Sequence, residues 1–176
     1  MFTVDEYIAS IQAHLEKHSN VLMDKLTEVV SYNFSPAIEL LDFSAFIDSP
    51  RFEISIMLFS MNRDANEVFA DDNETAVFAG SVNVLQDAPY YQLDDKLRDE
   101  FFDFYEQDVE QITEKEQKVF MTWFSNCWDQ ADGQACPLPA YFGLHDETRS
   151  YDLMKKEIVE DDEKWLVQLC KANPYI

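Results

Sequence analysis

The sequence predicts an α+β fold in one globular domain spanning residues 1–176. Three observations point there. Apolar residues recur at spacings of three and four near the N-terminus and again from Asp94 to Gln130, the signature of amphipathic helices. Between those stretches, residues 52–59 alternate with a period of two, the signature of a strand. At 176 residues, with 47% apolar and 14% aromatic composition, the chain is long enough for one packed core and short for two.

The elements follow in order. Val4, Ile8, Ile11, Leu15, His18, Leu22, Leu26 and Val29 share one helical face, and Thr3 with Glu6 makes a capping box, so one long helix or two collinear ones run to about Ser31. Ser35-Pro36 reads as an N-cap and first turn opening a shorter helix that Ser49-Pro50 ends. Phe52, Ile54, Ile56 and Leu58 then alternate with Glu53, Ser55, Met57 and Phe59. "EVFAD" and "TAVFAGSVNVL" supply two more strands of an antiparallel meander. A second capping box, Thr113 with Glu116, divides the long helical region into a central pair of about 94–112 and 114–130, and Asp132-Gly133 stops it. "AYFGLHD" is a buried strand with "SYDL" as its partner, and "EDDEKWLVQLC" is a last short helix.

Charge bounds the partners. The 35 acids against 13 bases give a net charge of -22. The excess is spread through the body, because residues 1–50, 51–92, 93–130 and 131–176 are each net negative. Such a field repels nucleic acid and anionic lipid and favours a basic protein partner. Its simplest other use is solubility. The start "MFTVDEYIAS" lacks the basic and apolar regions of a signal peptide, and no stretch reaches the ~20 apolar residues of a membrane helix, so a cytoplasmic location is expected. Cys127, Cys136 and Cys170 are odd in number and include no C-x-x-C pair, which argues against a disulfide framework or a zinc ribbon. Nothing in the sequence sets the oligomeric state.

The stretch from Thr122 to Asp146 gathers the residue types of a thiol hydrolase in Cys127, His145 and Asp146. Cys127 lies near the negative C-terminal end of its helix with Asp129 and Asp132 nearby, which raises a thiol pKa, so a buried structural role is expected. Cys136, in a loop beside Pro137, reads as an accessible thiol with no base. His14 and His18 sit one helical turn apart and could chelate zinc with His145. The spacing is not H-E-x-x-H, however, and His18 falls in the apolar register as a core histidine, so no metal site is expected. The acidic loop 64–75 lacks the ligands and glycine of an EF-hand. With glycine only at 80, 133 and 143, neither dinucleotide nor P-loop motifs exist, and G-x-S-x-G is absent. Neither a catalytic residue nor a cofactor is expected.

One helical face does carry a pattern. Leu97, Phe101, Phe104, Tyr105, Val109 and Ile112 lie on one side, and Asp99, Asp103, Glu106 and Glu110 form a stripe opposite, with Phe102 at the border. Like charges at these spacings cost a helix a few tenths of a kcal/mol per pair. The stripe is either an ordinary solvated face or a surface kept acidic for a partner, with Phe102 as its apolar anchor. Asp108 is the odd member, an acid in the apolar sector.

The order W-F-x-x-C-W, an A-D-G loop, A-Y-F-x-L-H-D and S-Y-D-L, from Trp123 to Leu153, resembles small acidic bacterial proteins of unknown function, including immunity proteins of polymorphic toxin systems. The resemblance covers about the last third of the chain and transfers no catalytic residues. It implies a non-enzymatic inhibitor of one basic toxin domain. The alternatives are a DNA mimic or regulator that binds another basic protein, and an enzyme built on His145 and Asp146.

Overall fold

The computed structural model describes residues 2–70 and 77–165. Helices α1 (Val4–Glu16) and α2 (Ser19–Val30) precede three strands, β1 (Leu40–Asp48), β2 (Glu53–Met61) and β3 (Ser81–Pro89). A 3₁₀ turn leads into α3 (Arg98–Gln107) and α4 (Val109–Gln130), and a second leads to β4 (Ala140–Leu144), β5 (Arg149–Asp152) and β6 (Glu157–Glu160). None of the described helices is long and apolar enough to cross a membrane.

The six strands make one mixed sheet in the order β3-β2-β1-β4-β5-β6. Every neighbouring pair is antiparallel except β1 and β4, which run parallel with Phe43 opposite Phe142. The sheet is thus two antiparallel meanders joined along one parallel seam. The chain crosses from the first meander to the second through α3 and α4, as a parallel connection requires.

On one face of the seam, α4 lays its aromatic row against the strands. Phe124 stacks on Phe142 at 4.3 Å and meets Phe43 at 5.1 Å, while Trp128 meets Phe43 edge-on at 5.5 Å. All four rings are fully buried, and each such burial contributes about 2–3 kcal/mol. The first helices join this layer. Trp123 Nε1 donates to Ser19 Oγ at 2.9 Å, and Tyr7, Ile11, Leu15, Leu22, Leu26 and Val29 are buried. On the opposite face, Lys164 is buried with its ammonium 3.2 Å from both Asp42 carboxylate oxygens and 2.7 Å from Asp161.

The capping box at Thr3 forms as expected, Glu6 N–H donating to Thr3 Oγ1 at 3.3 Å. Of the two expected forms of the N-terminal segment, two helices are found and not one: the first breaks at Lys17-His18, where the two amides turn back to the His14 and Leu15 carbonyls. The larger correction is the segment after Pro36. The expected helix is instead β1, at the centre of the sheet. Leu41, Phe43 and Ala45 point into the core and Asp42, Ser44 and Phe46 away from it, a period-two pattern that outweighs the Ser-Pro start signal. "EVFAD" is not a strand. Only Glu67 bridges to Met61, and Asp71 lies outside the described residues. In "TAVFAGSVNVL", Phe78 makes an isolated bridge and the strand proper starts at Ser81. The meander is therefore β1-β2-β3, and the sheet as a whole is mixed. β4 and β5 fall where "AYFGLHD" and "SYDL" place them, and β6 carries no alternation that would have disclosed it. The expected last helix begins at Glu163 and lies mostly outside the described residues.

Gly133 also differs in its reason. Helix α4 ends through Asp132, whose φ of 59° takes the left-handed conformation that a terminal glycine usually supplies. Gly133 instead lies against the Trp128 indole, and a Cβ there would come within 2.2 Å of ring carbons. Gly133→Ala must displace the largest buried ring in the core. We expect a loss of about 2–3 kcal/mol, read as a lower urea midpoint. An unchanged midpoint would show that Trp128 yields without cost.

Candidate functional site

The acidic face resides on α3. Asp94 starts the approach by accepting the Lys96 N–H at 3.0 Å, and α3 then buries Phe101 completely while Phe104 and Tyr105 are half-buried. Asp99, Asp103 and Glu106 are exposed along the other side of this helix. Asp108 explains itself here. Its backbone (φ -120°, ψ 23°) leaves the helical region and separates α3 from α4. The expected boundary between 112 and 114 is thus displaced to Asp108, and Glu110 belongs to the first turn of α4. The break leaves Val109 exposed to solvent, and Leu97, in the 3₁₀ turn before α3, is exposed as well, although both are expected in the apolar face. The side chains of Asp99, Asp103, Glu106 and Glu110 make no hydrogen bond or ion pair with any other described residue. Phe102 is 42% exposed and packs edge-on against Phe101 at 5.9 Å.

Behind Phe102 lies a cavity of about 140 Å³, which Tyr90, Tyr105, Glu116, Gln117 and Glu147 also line. Glu116 is its centre. Because α4 starts at Val109, Thr113 is an interior residue and not an N-cap, which frees the Glu116 side chain. Tyr7 Oη donates to Glu116 Oε1 at 2.6 Å and Tyr105 Oη to Oε2 at 2.9 Å. Burial pushes the Glu116 carboxyl above its ordinary value and the two phenol hydrogen bonds pull it back, with no described cation contributing. Burial, and after it the same carboxylate, raise Tyr105 to about 12. Sequence reasoning missed this cluster. The available signal was Glu116 itself, which shares a helical face with Ile112 and Phe120, both buried.

The residues of the Thr122–Asp146 stretch are not brought together as a catalytic group. Cys127 is buried beside Ser19, and burial pushes its thiol up to about 11. Cys136 is also buried, at 5% exposure, which corrects the expectation of an accessible thiol; burial raises its thiol pKa, partly offset by a hydrogen bond from the Leu138 backbone. His145 is exposed at the end of β4, stacks on Phe46 at 4.5 Å and approaches Asp146 at 3.0 Å. It shares no partner with either described cysteine. His18 is half-buried rather than core, and its Nε2 lies 3.2 Å from the Pro89 carbonyl oxygen, while His14 Nδ1 lies 2.8 Å from that of Ser10. Among the described residues no group of three or more His, Cys, Asp or Glu is arranged to hold a metal ion. Cys170 lies outside the described residues.

The fold and the site define an acidic α+β protein with α1, α2 and α4 on one sheet face and four acids, Asp99, Asp103, Glu106 and Glu110, exposed beside an aromatic-lined cavity. Comparison with protein-family models, curated proteins and solved structures finds no match.

Two outcomes are expected. Iodoacetamide at neutral pH should modify the Cys127 and Cys136 peptides slowly in the native protein and readily in denaturant, as peptide mapping would show. Rapid native labelling of Cys136 would restore the accessible-thiol expectation. The second concerns Glu116. A carboxyl raised in the folded state binds its proton more tightly there than in the unfolded chain, so wild-type stability falls as pH rises from 4.5 through the folded value. Glu116→Gln lacks this titration, so the stability difference should move in the variant's favour over that window. A difference independent of pH would contradict the assignment.

Proposed function

We propose that this is a non-enzymatic, acidic cytoplasmic protein that binds and neutralises a basic protein partner, as an immunity protein does a bacterial toxin domain. One observation carries the reading: Asp99, Asp103 and Glu106 on α3, with Glu110 just beyond, have no described counterion inside a chain of net charge -22. Structure alone gains nothing from that repulsion. Carboxylates left free at a surface attract a basic partner and speed the encounter. Phe102, exposed at the edge of the acids, supplies the apolar anchor on which residence time depends.

The partner is to be captured by affinity purification from the native cell and identified by mass spectrometry. Co-expression should relieve its toxicity. In stopped-flow kinetics, Asp99→Lys with Asp103→Lys should slow association about tenfold at low salt and flatten its salt dependence. Phe102→Ala should instead speed dissociation, by about tenfold. Unchanged rates in both variants, with the fold intact by circular dichroism, would place the interface elsewhere.

A further inference from the structure

From the geometry we infer that the cavity between α3, α4 and the β1–β2 turn is an arginine pocket: it receives one guanidinium of the basic partner, with Glu116 as the charge at its base and Tyr90, Phe102 and Tyr105 as its walls. This rests on the basic-partner reading above and adds a defined subsite to it.

Four features carry it. The first is the unmatched charge. Glu116 and Glu147 both line the cavity, and neither has an ion pair with a described residue. The phenol hydroxyls of Tyr7 and Tyr105 each occupy one acceptor position on Glu116. A carboxylate offers about four such positions, so both oxygens retain a lone pair for a further donor. The raised carboxyl of Glu116 is what a buried acid without a counterion shows, and a bound guanidinium would bring it down.

The second feature is the wall chemistry. Aromatic faces attract cations, and a planar guanidinium stacks on them while forking two hydrogen bonds to a carboxylate, which an ammonium cannot do. Third comes size. A cavity of about 140 Å³ accommodates the four heavy atoms of a guanidinium at roughly 30 Å³ for each water-sized group. Lastly, the chain's own Arg149 donates from Nη2 to Oε1 of the lining residue Gln117 at 3.2 Å and makes no ion pair with Glu116, so the carboxylate is left for an incoming cation. Phe102 belongs both to the cavity and to the edge of the acidic helix. A surface steered onto α3 would therefore deliver a basic side chain to this opening.

The test uses the full chain and two small probes: N-acetyl-arginine methylamide and its neutral isostere, N-acetyl-citrulline methylamide. Titration followed by ¹H–¹⁵N NMR should show saturable shifts for the arginine probe, centred on Phe102, Tyr105, Glu116 and Gln117. The citrulline probe should bind at least about tenfold more weakly. Glu116→Gln should weaken the arginine probe by a similar factor. If that variant does not fold, the comparison of the two probes on the wild-type chain decides alone. The inference is overturned by equal binding of the two probes, by shifts located elsewhere, or by no saturable shift into the tens of millimolar. Its failure is separable from that of the basic-partner reading. A pocket that ignores arginine leaves the kinetic result on Asp99 and Asp103 standing, and a pocket that binds arginine survives unchanged rates in those variants.

Discussion

The contact on which the rest of the molecule depends is the seating of α4 against the parallel seam of the sheet. Strands β1 and β4 come from opposite ends of the chain's middle section and have no turn to hold them together. Besides their parallel ladder they share a cover: Phe124 stacks on Phe142 of β4 and meets Phe43 of β1, which also receives Trp128. The same rings cover the apolar face of both meanders at the seam where they join. The requirement reaches outward to Gly133, which must lack a side chain because Trp128 fills the space, and to Ser19, whose hydroxyl accepts from Trp123 and ties the first helices into the same layer.

Against this core the chain carries a large negative charge, whose self-repulsion weakens the folded state. The structure offsets it unevenly. Lys164 is drawn into the sheet's second face between Asp42 and Asp161, and Lys156 approaches Asp129 at 2.6 Å. Lys115 does the same for Asp5 at the start of α1. The side chains of Asp99, Asp103 and Glu106 on α3 have no such neighbour among the described residues. Of the acids paired with Lys164, Lys156 and Lys115, only Asp42 is largely buried, where an unpaired carboxylate would be costly; Asp5 and Asp129 are exposed.

Glu116 is the exception, a half-buried acid that the chain satisfies with phenols instead of a cation. Two neutral donors keep its oxygens from being orphaned without cancelling its charge. A structural acid needs no more. The remaining charge, facing an aromatic cavity beside Phe102, is what links the site's interior to the acidic surface.

Local signals settled a good part of this fold before any tertiary contact was considered. The Thr3–Glu6 box, the helical stripes around Leu15, Leu26 and Phe120, the alternation of β2 and the compact apolar run of β4 are each decided within a few residues, because capping and periodicity depend on near neighbours. The exposed acids of α3 were legible for the same reason. What tertiary structure alone decided were choices in which local signals compete. Ser35-Pro36 looks like a helix start, yet Leu40–Asp48 becomes the central strand because β2 and β4 supply its hydrogen bonds on both sides. A capping-box spacing at Thr113 lost to a break at Asp108, which freed Glu116 for Tyr7, a residue 109 positions away in the chain. Cys136 looked accessible beside a proline and is covered by the packing of the loop that follows α4. A sequence discloses the face a residue belongs to; what that face meets depends on partners distant in the chain, and their pairing is set by burial in three dimensions.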